Sequence, residues 1–389
     1  MIVKKEFILL LNIILMFSVT TFSVTCSNGS NNQIELTKLG QAPTGGDAYD
    51  VWVNEERDLA YVTCGYHGFR IFDMSSPSNP VELSHVAETP AIINTGHSTG
   101  YAHQLLYHNE IVYVGDGAAG LAIINCSNSR DPYIITHYTR GYGWDIQIID
   151  NIAFVASGYN NLGSPGVMIL NITDPSNPIL LRNYHTVIGI TDVEVAGNYC
   201  YLASYSYLGS NSGLQILDIS NYSNPIALGQ YIGPSNSYAV DVEISGNLAY
   251  LSFWEEGLKI LDISDPTNIT VISEFNDNDI SEFAFLDLNE EYVYLATMAD
   301  GVVVLDVSDP YLPVERCKYN DTGKAYGIFV RDDFIFVADQ SEGLKILKME
   351  LLSSETDTVS AKSFQLYLTI LVLVVFGIRK RKSILRKKS

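Results

Sequence analysis

Between Gln33 and Met349 the apolar positions come in short runs broken by polar turns, and no segment has helical spacing. The clearest stretch is AVDVEI (239–244), LAYLSF (248–253), GLKILDI (257–263) and ITVISEF (269–275). These runs are rich in β-branched and aromatic residues and partly alternate, so each predicts a strand. The first two are joined by SGN (245–247), a tight turn of the kind Gly and Asn favour. Before the fourth comes SDPTN, where Pro266 is suited to hold φ at the second turn position. Together they predict one antiparallel sheet of four strands, read from inner to outer.

The unit repeats. The glycine opening the third strand recurs at Gly68, Gly120, Gly166, Gly213, Gly257, Gly301 and Gly343, at intervals of 52, 46, 47, 44, 44 and 42 residues. A period of about 46 with several short apolar runs per copy falls in the range of a propeller blade. The predicted fold class is therefore all-β: a seven-bladed β-propeller of four-stranded antiparallel blades over residues 33–350. The last copy ends at GLKILKME (343–350) with no turn or outer strand after it, and IELTKLGQAPTGGDAYDV (34–51) matches IALGQYIGPSNSYAVDV (226–242). Residues 34–39 are thus expected to supply the missing strand of the last blade and seal the ring.

The segments GVMILNITDPSNP (166–178), GLQILDISNYSNP (213–225), GLKILDISDPTN (257–268) and GVVVLDVSDPYLP (301–313) resemble the LVIVD repeat. The resemblance covers about residues 48–347. The copy GLAIINCSNSRDP (120–132) is degenerate, the sixth first strand (283–288) is irregular, and the seventh copy lacks its turn. The resemblance implies a propeller fold and an exported or surface-attached protein. It brings no catalytic residues.

The two ends change the picture of location. Lys4 and Lys5 precede an apolar run to about residue 19, with small residues before Cys26, so 1–26 reads as a signal peptide. Residues 364–378 are apolar, about 22 Å as a helix against a bilayer core of roughly 30 Å. Lys362 and Tyr367 can extend the usable length. The cluster Arg379, Lys380, Arg381, Lys382, Arg386, Lys387 and Lys388 follows. The expectation is a linker (351–363), a transmembrane helix (364–378) and a basic cytoplasmic tail (379–389), with the propeller outside the cell. Nine of the 23 Lys and Arg and one of the 44 acids lie in residues 1–26 and 379–389, leaving 14 against 43 between them. Such an acidic surface repels nucleic acid. Six Asn-X-Ser/Thr triplets, at Asn28, Asn125, Asn171, Asn221, Asn268 and Asn320, permit glycosylation. Cys26, Cys64, Cys126, Cys200 and Cys317 have no metal-type spacing, and Cys64 and Cys200 fall in apolar strands as small buried hydrophobes.

Candidate chemistry gathers at the mouth of the central channel. The inner strands begin Tyr49-Asp50, His103-Gln104, Trp144-Asp145, Thr191-Asp192, Val240-Asp241, Ala284-Phe285 and Tyr326-Gly327. The four acids Asp50, Asp145, Asp192 and Asp241 either converge on a hard cation such as Ca²⁺ or serve each repeat by bonding backbone amides of a neighbouring turn. The loops on the same face carry Tyr66, His67 and Trp254, and insertions lengthen two copies at 88–101 and 157–165. With Tyr49, His103, Trp144 and Tyr326 these aromatics suit a sugar ring or a protein hot spot, the alternative being packing between blades; Trp144 fits both equally, whereas Trp254, followed by Glu255 and Glu256 in a turn, is expected to be exposed. No GxSxG, HExxH or phosphate loop occurs. The expectation is a non-catalytic binding module for an extracellular protein or glycan. The alternatives are a propeller enzyme with a carboxylate or histidine site at the mouth, and a structural component of a surface layer.

Overall fold

The computed structural model describes residues 23–26, 32–87, 101–158, 165–206, 212–235, 237–277, 282–289, 291–298, 301–320 and 323–353. Among the described residues there are seven antiparallel sheets and no helix. Six sheets have four strands and the seventh has five. Blade 5 shows the unit: Ala239–Ser245, Leu248–Phe253, Gly257–Asp262 and Thr270–Phe275 pair in that order. Its boundaries match the sequence expectation to within one residue.

The recurrent glycine has a steric cause. Gly257 takes φ 73°, and a Cβ there would lie 2.1 Å from the carbonyl oxygen of Phe275, where the outer strand ends. A side chain is excluded both by backbone conformation and by this close approach. Gly343 repeats the geometry, but the oxygen it would meet, at 2.3 Å, belongs to Ala42. The N-terminal strand therefore stands where an outer strand belongs.

That strand, Asn32–Ala42, pairs antiparallel with Leu344–Ser353, placing Ile34 opposite Leu351 and Lys38 opposite Leu347. The ring closes as the sequence predicts. The pairing is longer than expected and takes up residues 351–353, which the sequence assigns to a linker. Ile34 and Leu36 are buried in the cluster between blades 6 and 7, with Val304, Ile335 and Leu347. A further strand, Ser23–Cys26, pairs outside Asn32–Ala42. Cys317, on the neighbouring outer strand Val314–Tyr319 of blade 6, is disulfide-bonded, whereas Cys64, Cys126 and Cys200 are buried and free. The wide spacing of the cysteines carried no sign of that bond.

Apolar clusters fill the junctions between adjacent blades, including the one between blades 7 and 1, where Val51 and Val62 meet Phe336 and Ile346. On the face opposite the mouth, the Asp or Asn ending the third strand of each of blades 1 to 6 caps its own turn. Asp262 Oδ1 accepts from Ser264 N (2.9 Å) and Asn171 Oδ1 from Thr173 N (2.9 Å). Small residues of the outer strands dock on the next blade's turn. Ser273 Oγ donates to the Pro310 carbonyl (2.5 Å), and a Cβ on Gly40 would lie 2.1 Å from the Pro77 carbonyl oxygen. The last of these contacts ties blade 7 to blade 1.

No helix among the described residues is long and apolar enough to cross a membrane. The expected transmembrane helix (364–378), the basic tail and residues 1–22 of the expected signal peptide lie outside the described residues.

Candidate functional site at the channel mouth

Side chains alternate along a strand, so every second residue of each inner strand faces the axis. The outer layer is Asp50, Gln104, Asp145, Asp192, Asp241 and Phe285, with Gly327 at the seventh position. The next layer is Trp52, Leu106, Gln147, Glu194, Glu243, Asp287 and Phe329. All of these except Gly327 line one cavity of about 210 Å³. Gly327 has no room for a side chain, because its Cβ would lie 2.5 Å from the Tyr49 carbonyl oxygen.

Seven carboxyl groups thus share a cavity where the sequence alignment placed four. Glu194 and Glu243 lie two residues beyond Asp192 and Asp241, so the alternation was a signal for them. Asp287 lies two residues beyond Phe285, so the same alternation reaches it, but no acid stood at the aligned position of blade 6 to draw attention to it.

The aspartates bind the ring together. Asp50 Oδ2 accepts from Leu105 N (2.9 Å), Asp145 Oδ2 from Val193 N (2.9 Å), Asp192 Oδ2 from Val242 N (3.0 Å) and Asp241 Oδ2 from Leu286 N (2.6 Å). Asp287 Oδ2 does the same with Val330 N (2.5 Å). Each carboxylate holds the inner strand of the following blade, a structural role like the one weighed for the first four, except that the amide belongs to a strand and not to a turn. Among the described residues no group of three or more His, Cys, Asp or Glu is placed to hold a metal ion.

Burial raises the pKa of all seven groups. Asp50 is pushed up to about 8, Asp241 and Glu194 to about 7, and Asp287 to about 6. Asp145 is raised, and Asp192 and Glu243 stand well above the ordinary carboxylate range. Asp192 lies beside Asp145 and Asp241, and these like charges add to the effect of burial.

Above the carboxyls the residues that begin the inner strands form an arc of rings. Phe285 and Tyr326 lie 5.2 Å apart, Tyr326 and Tyr49 5.2 Å, and Tyr49 and Tyr101 5.1 Å, centroid to centroid. Tyr101 carries Tyr66 at 4.5 Å and His103 at 4.8 Å. His103 stacks on Trp144 at 4.3 Å, and its Nε2 is 3.1 Å from the Tyr142 hydroxyl. Burial lowers the His103 pKa to about 3, so the imidazole is neutral and serves as an aromatic wall. Tyr66 is 61% exposed, and His67, also exposed, lies against Gly46.

The structure brings together Tyr49, Tyr66, His103, Trp144 and Tyr326, with His67 beside them. It also adds Tyr101 and Tyr142, which sequence reasoning passed over. Each sits two residues before an arc member, Tyr101 before His103 and Tyr142 before Trp144, so alternation could have found both. Trp254 stands apart. The sequence favours it as an exposed turn residue, but it is half-buried and packs on the cluster between blades 6 and 7 together with Tyr326. His97, Tyr207, Asp300 and most of both insertions lie outside the described residues.

Solved propellers share this architecture at low identity. The Neurospora crassa Pan2 WD40 domain matches with a TM-score of 0.61 and 12% identity, over 83% of this chain and 97% of that one. BamB from Moraxella catarrhalis matches with a TM-score of 0.53 and 12% identity, over 84% and 96%. The computationally designed Ika8 protein matches with a TM-score of 0.54 and 11% identity, over 85% and 98%. At such identities the likeness concerns the fold alone. A search of curated proteins returns no match. The model of the LVIVD repeat matches seven times, at residues 45–88, 99–139, 140–186, 190–232, 237–277, 286–321 and 322–348. Every blade is thus one such repeat, and the chain belongs to the LVIVD repeat family.

Proposed function

We propose that this propeller is a non-catalytic binding module that takes an extracellular protein or glycan ligand on its channel-mouth face. In this reading it is exported by its first residues and held at the cell surface by residues 364–378, with the basic tail inside. The observation that carries the binding role is the aromatic arc from Phe285 through Tyr326, Tyr49 and Tyr101 to His103 and Trp144. Rings that meet edge to face hold one another rigid, each pair contributing about 0.5–1.5 kcal/mol. Such a surface loses little entropy when a ligand docks, which suits flat sugar faces and apolar protein anchors. Tyr66 and His67 stand at its exposed rim and are the first residues a ligand would meet.

The full chain, wild type and with Tyr66→Ala and His67→Ala combined, is passed against a glycan array and against native surface extract. A component held by the wild type and lost by the double variant supports the reading and assigns the ligand class. If both forms hold the same components, the arc is not the binding surface. Capture of nothing by either form moves a structural role in a surface layer ahead.

A further inference from the structure

We propose that the channel beneath the aromatic arc binds a small organic cation through its ammonium or guanidinium N–H groups. Apart from Phe285, which lines both, this site uses other residues than the arc, and it does not depend on the reading above.

The cavity is lined by the seven carboxyls and by no Lys, Arg or His. Its two amide side chains differ. Gln147 is satisfied, since its Nε2 donates to Glu194 and its Oε1 accepts from Ile148 N. Gln104 is only 9% exposed, and its Oε1 is buried with no hydrogen-bond partner. A buried acceptor without a donor costs about 1–3 kcal/mol, so it marks a place where a donor belongs. The wall therefore offers acceptors and asks for donors.

A metal ion meets this demand poorly, because one oxygen of each of the five aspartates is spent on a backbone N–H of the next blade. An ammonium or guanidinium group needs no convergent cage and carries several N–H donors. Trp52 and Phe329, on the side away from Glu194 and Glu243, add ring faces that attract a cation. At about 210 Å³ the cavity far exceeds the about 10–15 Å³ that one water needs. The raised carboxyls imply that cation binding displaces protons to the solvent near neutral pH.

Titration calorimetry of the full chain at pH 7, in two buffers of different ionisation enthalpy, tests this. The probes are putrescine, neutral butanediol, Ca²⁺ and a short Lys-containing peptide. Saturable binding of putrescine with buffer-dependent heat, and silence from butanediol, is the expected result. Combined Glu194→Gln and Glu243→Gln substitutions should weaken putrescine by about tenfold or more. If the peptide binds as well, the natural source is a partner's basic side chain; if only putrescine binds, it is a free amine. The proposal is overturned if putrescine does not bind, if butanediol binds equally, if the heat ignores the buffer, or if Ca²⁺ saturates the site and expels putrescine. Should the double variant fail to fold, the butanediol comparison and the buffer dependence decide on wild type alone.

Discussion

Blades 3 to 5 and blades 7, 1 and 2 share one backbone plan and differ at the same channel-facing positions. On one side stand Asp145, Asp192 and Asp241 with Gln147, Glu194 and Glu243 below them. On the other stand Gly327, Asp50 and Gln104 with Phe329, Trp52 and Leu106. One step earlier along the strands the contrast continues for blades 4 and 5, with Thr191 and Val240 against Tyr326, Tyr49 and His103 on blades 7, 1 and 2, while blade 3 carries Trp144 and ends the aromatic arc. The repeat specifies strands, turns and the junctions between blades. The residues facing the axis are free of those duties except where an aspartate holds the next strand. They have diverged into a polar side and an aromatic side, and a closed ring sets the two against each other.

The largest expected effect tests what keeps the two sides in one ring. Removing residues 27–40 takes away the closing strand and the buried Ile34 and Leu36, and should abolish the cooperative unfolding transition in denaturant. Leu36→Ala alone should cost about 2–5 kcal/mol. A truncated protein with an unchanged unfolding midpoint would show that the closure is dispensable.

The next effect belongs to the channel carboxyls. Their folded-state pKa values are raised above the unfolded ones, so the fold favours their protonated forms. Their contribution is fully present below the ordinary carboxylate range, near pH 4, and is lost as pH rises through about 6 to 8. The melting temperature should fall across that window, and Asp192→Asn with Glu243→Gln should flatten the fall. An equally steep profile in the double variant would assign the pH dependence elsewhere.

A smaller effect separates charge from connection. Asp241→Ala leaves the Leu286 N–H without its acceptor and should cost about 1–3 kcal/mol by chemical denaturation. Asp241→Asn keeps a carbonyl oxygen there and should cost less. Equal losses would mean that the charge, rather than the hydrogen bond, joins blades 5 and 6.

The smallest effect on stability belongs to the aromatic rim. Tyr66→Ala should change stability by no more than about 0.5 kcal/mol, because the ring is mostly exposed. The same substitution should reduce ligand capture, so the two measurements together separate binding from packing.

Much of this molecule was legible in the sequence because its information is local and repeated. Strand length, the positive-φ glycine and the Asp or Asn that caps its own turn are each set within a few residues. Seven copies made them plain, and the match between residues 34–51 and 226–242 even exposed the closing strand. The partners across the axis were decided by the tertiary structure. Asp192 and Asp241 are 49 residues apart in the chain, and only the stacking of blade 4 on blade 5 makes them neighbours. The packing of blades 6 and 7 covered much of Trp254, and the meeting of Tyr49 with Tyr101 and Tyr326 joined three copies into one arc. Local propensity carries no record of which blade comes to lie beside another, so burial, electrostatic coupling and the shape of the site emerge only when the ring closes.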